Sequence, residues 1–282
     1  MPRVALWQPN LHAFGLPQDD FKLGSRMKDD IVQRGSGRSE TGHTFLTSFI
    51  AGASGVAVQV APTTGREVGV ARLQYNIPPG GGASAAVGYG YTGGNAPWRL
   101  DPNYDYTFTA KVRCANLIFG GGTLVYEFLG MGNSANINSD FTNAVGFIRD
   151  PTTFSGSLWR FEPICRSSGV STRIASNQSI ILHTSDPTGG VYRSFMWRAS
   201  HNGTDWVVTF YKLWDDKNTT GSAGEWINLG SITTNVPTTN PIGFFHQCIF
   251  TSSTIGTSGT CEYFLDYVTF EQRNKNVWRF AQ

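Results

Sequence analysis

Residues 106–115 read YTFTAKVRCA. In an extended chain successive side chains point to opposite faces. Tyr106, Phe108, Ala110, Val112 and Cys114 then share one face, and Thr107, Thr109, Lys111 and Arg113 share the other. The first set is apolar and the second polar. That alternation belongs to an antiparallel strand with one face on a core and one in water. A helical period would mix the two sets, so this stretch decides for β-structure.

Moving outward, the same signals recur. Downstream lie TLVYEFLG (123–130), AVGFIRD (144–150) and SLWRFEPICR (157–166). Upstream lie TFLTSFI (44–50), GVAVQVA (55–61) and EVGVARLQYNI (67–77), separated by Gly, Ser, Pro and Thr. Residues 78–98, PPGGGASAAVGYGYTGGNAPW, read as a long Gly-rich loop without the glycine spacing of a phosphate loop. Towards the C-terminus RSFMWRAS (193–200) is followed by HNGTD (201–205), whose Asn-Gly is a strong hairpin signal. WVVTFYKLW (206–214) is apolar on both faces and reads as a central strand. WINLGSIT (226–233), IGFFHQCIF (242–250) and EYFLDYVTF (262–270) complete what reads as a meander.

About a dozen short strands with turn signals between them imply an all-β fold, a two-sheet antiparallel sandwich of jelly-roll type over residues 44–282. Residues 1–43 differ. They mix charges with scattered apolar residues and hold no sustained period, although 26–34 could make one or two helical turns. They read as an extended arm, with Leu6, Trp7, Phe14 and Phe21 among the anchors that would dock it on a neighbouring subunit.

Composition narrows the function. Charged residues are 15% of the chain, below the roughly 25% of ordinary soluble domains. The 33 glycines in 282 residues exceed the usual share of about 7%. A net charge of +2 and the absence of a Lys/Arg run argue against nucleic-acid binding. No stretch approaches the length of a transmembrane helix, so no membrane partner is expected. The N-terminus MPRVALWQPNLHAFGLP lacks the apolar core of a signal peptide, which implies synthesis in a cytoplasm without export by a recognisable signal.

Candidate chemistry is sparse. Cys114, Cys165, Cys248 and Cys261 form no C-x-x-C pair and read as free buried thiols, with a Cys248–Cys261 bridge across a hairpin as the alternative. His12, His43, His183, His201 and His246 show no zinc spacing, and no G-x-S-x-G elbow exists. Asp215, Asp216 and Asn218 make an acidic loop that does not match an EF-hand, so no metal or cofactor is expected. In EYFLDYVTF, Asp266 falls in a row with Phe264, Val268 and Phe270 and could be a catalytic, binding or structural acid. Glu262 shares its face but stands about 13–14 Å away along the strand, too far for either mode of glycoside hydrolysis. Glu127 is the candidate partner from another strand. Tyr91, Trp98, Trp214 and Trp226 stand at loop–strand boundaries, where they could form a glycan platform, a subunit contact or caps on the core.

The C-terminal half resembles the concanavalin A-like lectin/glucanase jelly roll, in the variants found in virion proteins of tailed bacteriophages. The resemblance covers residues 104–273. It rests on a strand containing Trp197, the Asn-Gly turn, VVTFY, NLGS, VPTTNPIGFF and the closing YFLDYVTFEQR. It implies a structural role for Asp266 as an acceptor of hydrogen bonds. The E-x-D-x-x-E arrangement of the fold's hydrolases is missing, so no catalytic residue is expected. The implied function is a non-enzymatic virion component, a capsid decoration (cement) or head-fibre protein that binds capsid or tail subunits and forms a homo-oligomer, a trimer. A tail-associated receptor- or glycan-binding adhesin is the alternative, and a polysaccharide-cleaving enzyme the second alternative.

Overall fold

The computed structural model describes residues 26–30, 47–51, 56–60, 71–77, 85–90, 98–118, 124–133, 142–149, 159–174, 180–183, 192–213, 225–251 and 259–275. They form strands β1 (Arg26–Asp30), β2 (Thr47–Ala51), β3 (Val56–Val60), β4 (Ala71–Ile77), β5 (Ala85–Gly90), β6 (Tyr104–Ile118), β7 (Leu124–Gly132) and β8 (Ala144–Arg149). These are followed by β9 (Trp159–Ser167), β10 (Val170–Arg173), β11 (Ile180–His183), β12 (Arg193–His201), β13 (Trp206–Leu213), β14 (Trp226–Ile232), β15 (Gly243–Thr251) and β16 (Gly259–Asn274). Among the described residues no helix is long and apolar enough to cross a membrane.

The strands make two antiparallel sheets, the all-β jelly-roll sandwich that the sequence implies. The first runs β14-β13-β12-β6-β16-β4-β3, and β1 also pairs with β16. The second runs β10-β9-β8-β7-β15-β5-β2, and β11 also pairs with β9. On one flank β16 meets β6 along its length. On the other it meets β4 at Gly259–Leu265 and then β1 at Thr269–Arg273.

The alternation of β6 is realised. Tyr106, Phe108, Ala110 and Val112 are buried and the intervening residues are half-buried. Their core face meets aromatic residues from both sheets. Phe108 stacks on Trp197 at 5.7 Å and reaches Phe244 of the second sheet at 6.4 Å. Phe147 of the second sheet sits edge-on to Phe195 at 4.7 Å and to Phe210 at 5.5 Å.

Three local devices set the layout. The Tyr106 hydroxyl donates to the Arg99 carbonyl at 2.9 Å and accepts from the Asp101 N–H at 2.8 Å, which pins the chain as it enters β6. Burial pushes the Tyr106 phenol pKa up, so the hydroxyl stays a donor. The β12–β13 turn uses the predicted Asn-Gly. The Asn202 side chain accepts from the N–H groups of Thr204 and Asp205, and Gly203 takes φ +105°. Between β7 and β8, Gly130 and Gly146 stand opposite one another with the Phe128 ring over both. A Cβ on Gly146 would lie 2.8 Å from the Gly130 Cα, so neither position has room for a side chain.

Four expectations change. Residues 26–30 are a strand, not a helical turn, because β16 offers them a ladder. The loop expected at 78–98 contains β5, held between β15 and β2; pairing on both flanks overrides the weak strand preference of its glycines. The meander runs only through β12–β14, since β15 crosses to the second sheet and β16 returns to the first. Cys248 and Cys261 therefore lie in different sheets, and no hairpin joins them.

Candidate functional site

Glu127, the carboxylate proposed from a second strand, lies in the sandwich interior. It is 1% exposed, and His246 is 0% exposed. They sit diagonally on paired strands: Glu127 is opposite Cys248, and His246 is opposite Leu129. His246 Nε2 and Glu127 Oε1 are 2.8 Å apart. His246 is on the same face as Phe244, whose ring meets Phe108 of the opposing sheet, so the pair is sealed between layers. A carboxylate placed there is out of contact with solvent.

Asp266 falls at a β-bulge. Leu265 pairs with Val112 and Tyr267 with Lys111, which leaves Asp266 as the additional residue of β16. The period-two row that linked Asp266 to Val268 and Phe270 therefore breaks at Asp266 itself. The bulge stands where the β4 ladder has ended, at Leu265–Ala71, and the β1 ladder has not begun, at Thr269–Asp30. Register puts the acid beside Lys111, with Arg113 opposite Phe264.

Of the four aromatic residues proposed as a platform, Trp98 and Trp226 are described, and they stand apart. Trp98 is 3% exposed, bridges Ile242 through its backbone and packs on Phe270 at 4.8 Å, so it caps the core. Trp226 pairs with Leu213 at the far end of β13. The near end of β13, at Trp206, joins the aromatic group of Tyr106, Phe270 and Trp98. Seven residues of strand separate the two ends, roughly 24 Å at 3.4 Å per residue. Tyr91, Trp214 and the arm anchors Leu6, Trp7, Phe14 and Phe21 lie outside the described residues, as do Asp215, Asp216 and Asn218. Among the described residues no group of His, Cys, Asp and Glu could hold a metal ion. Cys165 is a free, buried thiol whose pKa burial pushes up, away from the reactive thiolate.

The accessible chemistry lies on the outer face of the first sheet. Register aligns Glu271, Thr107, Arg198, Thr209 and Ser231 in one row across β16, β6, β12, β13 and β14. Five strands at about 4.8 Å spacing make this row roughly 19 Å long. Arg198 is exposed and holds its guanidinium 5.7 Å from the Tyr211 ring, and the hydroxyls of Thr209 and Ser231 are 2.8 Å apart. Further along β6, four and six residues from Thr107, Lys111 and Arg113 lie 5.2 and 5.0 Å from the Tyr192 ring. The row offers hydroxyl and guanidinium groups on a rigid sheet, suited to hydrogen-bonding a polyol. Sequence reading identified the polar face of β6 but missed Arg198 and Tyr211, because only register brings residues from separate strands into one row.

No family model and no curated protein sequence matches the chain. Among solved structures it is similar to the exoplasmic/lumenal domain of VIP36 in its Ca2+/Man3GlcNAc-bound form (12% identity, TM-score 0.44, 86% of each chain covered). It is also similar to an endo-1,3-β-glucanase from Streptomyces sioyaensis (12% identity, TM-score 0.40, 72% of this chain and 78% of that one). A third is a carbohydrate esterase of Shiga toxin-encoding bacteriophage phi24B (11% identity, TM-score 0.36, 89% and 97%).

Proposed function

We propose that this protein is a non-enzymatic virion structural protein of a bacteriophage, a capsid decoration or head-fibre protein that holds neighbouring subunits through its N-terminal arm. The observation that carries this reading is β1. Part of the arm is laid down as an added strand on β16, with residues 31–46 between it and the next strand. Adding a strand to a sheet edge is a general way to attach one protein segment to another, since main-chain hydrogen bonds supply the affinity. The non-enzymatic part rests on Glu127, the one carboxylate proposed as a second catalytic group, which is paired with His246 inside the core. The test is light scattering behind size exclusion on the full chain and on a version lacking residues 1–43. A discrete oligomer, a trimer, that falls to monomer without the arm is the expected result. A monomer in both cases, with no binding to phage capsids or tails, overturns the reading.

The row Glu271–Thr107–Arg198–Thr209–Ser231 favours a second reading, a glycan-binding adhesin on the same sandwich. It predicts that Arg198→Ala weakens binding to a glycan array by about tenfold, the loss of one charged hydrogen-bonding group. No glycan bound by the unsubstituted protein rejects it.

A further inference from the structure

We propose that β1 is exchangeable: the edge of β16 over Thr269–Arg273 is an acceptor filled either by the chain's own Arg26–Asp30 or by the same strand of a second copy. This rests on the arm-mediated assembly proposed above and names its partner and docking edge. Among the described residues β1 pairs with one strand only, β16, and with nothing on its outer side. Its sequence is RMKDD, in which Met27 is the one apolar residue, so it has little apolar surface to bury. Main-chain hydrogen bonds hold it, and they are the same whichever copy supplies the strand.

The balance between the two arrangements is then set by tether length. β1 lies on the first sheet and β2 on the second, with residues 31–46 between them. Stacked sheets are about 10 Å apart, the least that this connection must bridge. Sixteen residues can extend to roughly 50 Å. A tether that exceeds the span it must bridge lowers the effective concentration of the chain's own strand. A second copy held within that reach, as in an assembled particle, competes for the same edge.

The acceptor has defined limits and register. On the same flank of β16 the β4 ladder ends at Leu265, which bounds the acceptor on one side. The register sets Arg26 opposite Arg273, Lys28 opposite Glu271 and Asp30 opposite Thr269. Met27 stands opposite Gln272, which provides the test.

Two full-length variants of different mass, Met27→Cys and Gln272→Cys, are mixed at high concentration, incubated and mildly oxidised. Only exchange places residue 27 of one chain opposite residue 272 of another. The expected result is a disulfide-linked heterodimer several-fold above that formed when Gln272→Cys is replaced by Ser231→Cys, an exposed site away from β16. Heterodimer no more abundant than in that control overturns the proposal. An arm-dependent oligomer without the heterodimer rejects exchange and leaves the assembly reading standing. The absence of both rejects the two together.

Discussion

His246→Leu is expected to destabilise the protein by about 3–5 kcal/mol, the usual cost of removing one partner of a buried ionisable pair. The His246 side chain is sealed in the core, 2.8 Å from Glu127. Without the imidazole, Glu127 stays 1% exposed and loses its Nε2 partner. Its carboxyl group is then buried with one polar partner fewer, which costs free energy. The loss would appear as a lower midpoint in urea unfolding, with the slope unchanged. Replacing both residues, Glu127→Leu with His246→Leu, should recover most of the stability, because two apolar side chains need no partner. A single substitution costing under about 1 kcal/mol would mean that other neighbours satisfy the carboxylate. The pair would then not be what secures β7 to β15.

Trp197→Ala should cost a similar amount, about 3–5 kcal/mol. Trp197 is fully buried on β12, stacked on Phe108 at 5.7 Å and edge-on to Phe270 at 5.9 Å. Alanine would leave a cavity beside the Phe108 and Phe270 rings in the core, one that this aromatic lattice cannot easily close. Trp197→Phe should cost well under half as much. It keeps a ring in the stack, and the indole Nε1 finds no acceptor among the described residues, so no hydrogen bond is lost. Thermal unfolding of the two variants side by side checks this. Equal losses would mean that the second indole ring, not the stack, fills the space. Total stabilities are typically 5–15 kcal/mol, so either large loss threatens folding at growth temperature.

How much of this was legible beforehand depended on the range of the interaction. The strand identity of residues 106–115 and the turn at Asn202–Gly203 follow from side-chain period and local backbone preference, and the structure carries both. The strands Arg26–Asp30 and Ala85–Gly90 were not legible. One is almost wholly polar and the other rich in glycine, so each is a strand only because a distant edge offers it hydrogen bonds. The candidate sites divide the same way. Glu127 was picked out as a carboxylate with possible chemistry, but its partner lies 119 residues away on β15.

Local pattern alone specifies that the described elements are strands like β6, that β6 has one dry and one wet face, and where the β12–β13 hairpin turns. Those properties are local: a period of two, and a backbone conformation that glycine accepts. The tertiary structure alone decided which sheet each strand joins, that β16 inserts between β6 and β4, and that Asp266 becomes the extra residue of a bulge. It alone put Arg198 in line with Thr107 and Thr209 on an exposed face while closing Glu127 inside. Register and layer are set by pairing between segments far apart in the chain, and a local pattern does not encode a distant partner.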